Sequence, residues 1–261
     1  MSRELIFTVD LDRDVNIPIT GCSAAGSMDR GQGTDPRFSS AELGLVVLLD
    51  VLDAVGVKGT FFVEGRTSET IDCSGLSGHC VGFHGYDHED LSGQSTGVTY
   101  TRDEVESILR RGFDSVSDNI SRPTCFRAPY MVRNGHVESF LPELGVFHDS
   151  SSYGDLGAEP FDLGNGVMEH PVPKTTDGSG RSMSAYLWPM HEGKRPPSDY
   201  VAMASRMEHG QLILATHTWH MVEWRERGMM GPDEVHRNAD HVVEVLSGIL
   251  DLGYQPTMLV G

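Results

Sequence analysis

Short apolar runs recur along this chain, and one after another they end on a residue able to do chemistry. Leu5 to Val9 runs into Asp10 and Asp12, Val81-Gly82-Phe83 into His84, and Cys125-Phe126 into Arg127. Gly145 to His148 leads to Asp149, and Leu212 to Thr216 carries His217. Runs of this length, bounded by polar and glycine-rich stretches, read as buried strands. Helical patterns lie between them, and strand–helix–strand alternation builds a parallel sheet covered by helices. Reactive residues gathered at the C-terminal ends of parallel strands are the arrangement of a barrel enzyme. The expected fold is therefore α/β. The strand count is nearer seven than eight, and one domain covers residues 1–261.

The helical segments can be placed from their caps and periods. Ser39 or Ser40 is the expected start of a helix with Glu42 in its first turn; Leu45, Leu48, Leu49 and Leu52 form its apolar face and Gly56 its end. Val57 to Val63 follows as a strand. Thr101-Arg102-Asp103-Glu104 reads as a capping box opening a helix to about Asn119. Gly135 to Leu144, Tyr200 to Met207 and Pro232 to Leu252 are further helices, and Gln255 to Val260 is the last strand. Residues 16–38 carry no period and read as a long loop that could wall an active site. Residues 150–197 are irregular, with Val167 to Val172 a strand inside them.

Composition narrows the partners. A formal net charge of -18 repels phosphate backbones, so nucleic acid is not an expected partner. Only Lys58, Lys174 and Lys194 are lysines, a balance that fits a saline cytosol or the acidity of a high-GC genome. No apolar stretch reaches the ~18 residues of a membrane span. Met1-Ser2-Arg3-Glu4-Leu5 runs into a strand without a signal-peptide core, and Cys22, Cys73, Cys80 and Cys125 form no short metal or redox spacing, so a cytoplasmic location is expected. A local Cys73–Cys80 bridge is the alternative. A homo-oligomer is compatible with all of this.

One residue separates Asp10 from Asp12, so in an extended segment their side chains share a face. Two carboxylates in one pocket repel unless a cation neutralises one. His84 and His88, four apart, can reach one ion from a helical turn or a tight turn of similar span. Asp12, His84 and His88 make a three-ligand metal site with an open position, and Asp10 remains as a base. Asp14 is a further carboxylate candidate. Arg127, before Ala128-Pro129-Tyr130, can clamp a base carboxylate and depress its pKa. The turn after Pro129 can aim the Tyr130 N–H at an oxyanion. His217 can protonate a leaving amine, with Asp149 to orient it; His220 competes for that role. His79, His136 and His170 have no comparable partner and read as structural or solvated.

These motifs, in this order, resemble the NodB-type polysaccharide deacetylases of carbohydrate esterase family 4. Phe7-Thr8-Val9-Asp10-Leu11-Asp12 is similar to the first motif in its spaced Asp-x-Asp form, and His84-Gly85-Tyr86-Asp87-His88 to the His-x-x-x-His motif. Arg127-Ala128-Pro129-Tyr130, Phe147-His148-Asp149-Ser150-Ser151, and Leu214 with His217 resemble the remaining three. The resemblance spans roughly residues 5–259. It implies a distorted (β/α)7 barrel, with Asp10 the base and Asp12, His84 and His88 binding zinc or another divalent transition metal. It also implies that Arg127 positions the base, that Tyr130 stabilises the oxyanion and that His217 is the acid. The expected substrate is a small-molecule or oligosaccharide amide, foremost an N-acetyl amino sugar. A cyclic imide or allantoin-like amide, a formamido sugar, and a non-catalytic carbohydrate-binding barrel are the rival readings.

Overall fold

The structure is a computed structural model and describes residues 2–13, 36–225 and 227–260. Most of the expected loop, with Asp14 and Cys22, lies outside the described residues. The first strand, β1 (Arg3–Leu11), is buried from Leu5 to its end and is the axis of the main sheet. Helix α1 (Ser39–Val55) returns the chain to β2 (Thr60–Val63); α2 (Gly65–Thr70) precedes β3 (Cys80–Phe83), and α3 (Arg102–Asn119) precedes β4 (Cys125–Phe126). After α4 (Gly135–Phe140) come β5 (His148–Asp149), β6 (Tyr153–Asp155), β7 (Phe161–Asp162), β8 (Met168–Glu169), β9 (Val172–Thr176) and β10 (Ser182–Ser184). Helices α5 (Trp188–His191) and α6 (Pro197–Ala204) lead to β11 (Gly210–His217). The small hairpin of β12 (Glu223–Trp224) and β13 (Gly228–Met229), the long α7 (Pro232–Asp251) and β14 (Gln255–Thr257) complete the order.

The main sheet runs β11-β1-β2-β3-β4-β5-β8-β7. Its first seven strands pair parallel, and only β7 is antiparallel. With helices between most of the strands, and β14 as a further parallel strand beside β1, this is the expected distorted barrel. β14 pairs the first half of β1, and β11 pairs nearly its whole length, with Asp10 level with His217. Parallel strands bring their C-terminal ends to one rim, so the reactive residues meet there. Among the described residues no helix is long and apolar enough to cross a membrane.

Local chemistry explains several differences from the sequence reading. Neither Ser39 nor Ser40 caps α1: Phe38 takes the cap position without a side-chain bond, and the Ser40 hydroxyl instead donates to Glu223, 2.6 Å away. The expected Thr101–Glu104 capping box is present. Pro197 starts α6 three residues earlier than read, as a proline at the first helical position does. The irregular stretch holds β6, β9 and β10, a small separate sheet without apolar alternation to reveal it. Cys80 faces Cys125 at 3.9 Å, not Cys73.

Candidate metal and active site

The end of β1 supplies both carboxylates. Asp10 and Asp12 are 2 % and 1 % exposed. Arg13, the next residue, donates from its backbone to Glu64 (2.9 Å) and from Nε to the same carboxylate (2.6 Å), and also pairs with Asp87. That buried network ties the strand end to the end of β2 and to the turn after β3, which fixes where Asp12 sits.

The turn after β3 brings the two imidazoles to Asp12. It is not helical: Gly85 has φ +70° and His88 φ +58°, a conformation uncommon for a side chain other than glycine. Asp12 Oδ2 lies 3.6 Å from His88 Nε2. One donor atom from each of Asp12, His84 and His88 falls within 4.8 Å of the other two. His84 Nδ1 sits 2.8 Å from the Arg127 carbonyl, which only accepts, so Nδ1 carries the proton and Nε2 keeps its lone pair. Burial pushes the pKa of both imidazoles down, so they are neutral and able to ligate. A carboxylate and two neutral imidazoles, buried and convergent, fit a zinc-like divalent ion.

Asp10 faces a different partner. The Arg127 guanidinium, fully buried, donates to Asp10 Oδ1 at 2.9 Å, to Thr8 Oγ1 at 3.0 Å and to Ser150 Oγ at 2.9 Å. Its Nε donates to the Ser150 carbonyl at 2.8 Å, and its carbon lies 4.3 Å from the centre of the Phe62 ring. Burial alone would raise the Asp10 pKa. Arg127 foremost, then His84, His217 and the Tyr186 hydroxyl, overcome it and hold the carboxyl at about 2.

His217 Nε2 lies 3.8 Å from Asp10 Oδ2 and 3.4 Å from the Tyr186 hydroxyl. The Trp188 ring meets the His217 ring edge-on at 5.5 Å. His220, its competitor, faces away: its Nε2 pairs with Glu192 at 2.9 Å and its ring stacks on Trp219. Tyr130 sits in the turn after β4 with φ +63°, its ring 4.9 Å from that of His88.

Asp149 is not brought to His217. Its carboxylate bonds Ser151 and lies 3.1 Å from Arg133, beside Glu169, away from the residues that line the cleft. Successive residues of a strand alternate in direction, so the neighbouring Ser150 is the one that meets Arg127. His79 and His170 are structural, the first accepting from the Gly59 N–H and the second paired with His148 and Gln211; His136 is exposed.

Asp10, His84, His88, Tyr130 and His217 line one cleft of about 480 Å³, with Tyr153, Tyr186, Trp188 and Arg225 on its walls. Tyr186 went unnoticed in the sequence because its segment has no period, whereas Trp188 reads from the sequence as core or pocket wall and does line the cleft. The segment is fastened to β11 by backbone bonds, Leu187 N–H to Ala215 O and Ala215 N–H to Ala185 O, each 2.8 Å. Arg13 gave a faint signal, a cation directly beyond an acidic strand end.

Comparison with known proteins finds relatives in sequence and in fold. Residues 44–146 match the polysaccharide deacetylase family. A chitin deacetylase of Arthroderma benhamiae is 34 % identical over 105 residues, 37 % of this chain and 27 % of that protein. A chitin deacetylase of a Pestalotiopsis species is 31 % identical over 168 residues, 60 % of this chain and 53 % of that one. The chain thus spans about half or less of the curated relatives it matches. A Mycobacterium smegmatis structure, assigned by name to the polysaccharide deacetylases, shares the fold with a TM-score of 0.60 at 22 % identity, covering 100 % of this chain and 94 % of its own.

Proposed function

We propose that this chain, a NodB-type protein of carbohydrate esterase family 4, is a metal-dependent amide hydrolase that removes N-acetyl groups from an amino sugar or small oligosaccharide. The observation that carries this reading is the convergence of a buried Asp12–His84–His88 donor set, whose two imidazoles line the cleft, with an Arg127-clamped Asp10 that lines the same cleft.

A divalent ion held by Asp12, His84 and His88 would supply Lewis acidity to the amide carbonyl and to a water. Asp10 takes the proton of the attacking water. Arg127 holds Oδ1, and Oδ2 accepts from the Tyr186 hydroxyl beside His217. The left-handed turn at Tyr130 presents its backbone N–H as a donor to the tetrahedral oxyanion. His217 gives a proton to the departing nitrogen, and acetate and a free amine leave. Tyr153 and Trp188 offer apolar faces to a sugar ring. The complete set of groups weighs against a non-catalytic binding barrel.

The test is an amide panel on zinc-loaded protein, with acetate, formate and ring-opened products identified by mass. Acetate released one-for-one with amine from N-acetylglucosamine oligomers, and lost on chelation, is the expected result. Ring-opened product from a cyclic imide, with no acetate from any amino sugar, would instead make this a cyclic-amide hydrolase.

A further inference from the structure

Tyr186 lies outside the five sequence motifs, yet it stands beside the two groups that move protons. Its hydroxyl donates to Asp10 Oδ2 and lies 3.4 Å from His217 Nε2, while those two atoms are 3.8 Å apart. The three polar atoms form a compact triangle facing the cleft. The residue is held from several sides. Tyr200 donates to its carbonyl at 3.1 Å, its neighbours bond to Ala215, and its ring centre lies 5.2 Å from that of His217.

Resting on the amide-hydrolase reading above, we propose that Tyr186 is a proton shuttle from Asp10 to His217. Asp10 takes a proton from the attacking water as the water oxygen bonds to the carbonyl carbon. The new O–H of Asp10 then breaks towards the phenol oxygen while the phenol's own proton passes to His217 Nε2. The carboxylate is restored, the phenol is again neutral, and the imidazole has become an imidazolium. When the C–N bond breaks, Nε2 gives that proton to the nitrogen. One proton leaves water and arrives on the amine, and no group on the enzyme is left changed.

Tyr186→Phe, loaded with zinc, separates the shuttle from plain positioning. An N-acetyl amino sugar needs a proton on its leaving nitrogen, whereas 4-nitrophenyl acetate expels a phenolate that needs none. The proposal predicts that Tyr186→Phe lowers kcat on the amide by about 10²-fold, in the range of general acid catalysis, with KM and zinc content unchanged and the ester rate within about threefold. In H2O–D2O mixtures, amide turnover should respond in a curve for wild type, because two protons move together, and in a line for the variant. Equal losses on amide and ester would make Tyr186 a positioning residue for Asp10 and overturn the shuttle. So would an unaffected amide rate, or a linear response in wild type. A wild-type protein inactive on every amide and ester would instead count against the hydrolase reading itself.

Discussion

Asp10 and Asp12 leave the same strand two residues apart but meet opposite kinds of neighbour, a guanidinium for one and two neutral imidazoles for the other. Their substitutions should therefore part company. Asp12→Ala should lose zinc and activity together, while Asp10→Asn should keep zinc, by elemental analysis, and lose turnover by about 10²-fold or more. Equal zinc loss in both would mean that the two roles are merged. Arg127 controls the charge of Asp10. The native carboxyl, lowered to about 2, is ionised throughout the usable pH range, and its contribution to stability fades only as pH falls from the unfolded value of 3.8 through 2. Arg127→Met leaves burial unopposed by its main counter-charge, so the carboxyl rises. A rate–pH profile should then acquire an acid limb within the pH range where the wild type is flat with respect to Asp10. An unchanged profile would show that Arg127 does not set the ionisation of Asp10.

At the scale of elements, the site depends on close approaches that leave no room for a side chain. A Cβ on Gly112 of α3 would lie 2.4 Å from the Gly85 carbonyl, in the turn between His84 and His88. A Cβ on Gly44 of α1 would fall 1.9 Å from the carbonyl of Thr218, next to His217. Helix α3 is thus the back support of the imidazole pair. Gly112→Ala should push that turn and weaken zinc binding by about tenfold or more, as losses of outer support do at metal sites, with α3 still helical by circular dichroism. Zinc affinity equal to wild type would show the turn to be held by its own network alone. These supports mark the boundary of what the chain discloses by itself. The main strands, the Thr101–Glu104 cap and most of the residues at strand ends were legible because hydrophobic period and spacing are local. Gly112, Arg13 and Tyr186 were not, since each matters through an atom more than 20 positions away. Asp149 misled because a strand end names two adjacent residues and alternation selects only one, here Ser150.

Across the whole molecule, a chain of net charge -18 builds a cleft whose lining, among the described residues, contains one carboxylate, Asp10, beside three histidines and an arginine. The parallel sheet gathers these groups from both ends of the sequence, since β1 and β11 are neighbours in it and Asp10 pairs with His217. The central claim is that this convergence exists to hold one divalent ion. Anomalous diffraction at the zinc edge, from crystals grown with zinc, tests it most directly. One strong peak is expected within bonding distance of an Asp12 carboxylate oxygen, His84 Nε2 and a nitrogen of His88, with Asp10 near it but not bonded to it. A fully occupied peak elsewhere, or none at these three residues, would contradict the claim.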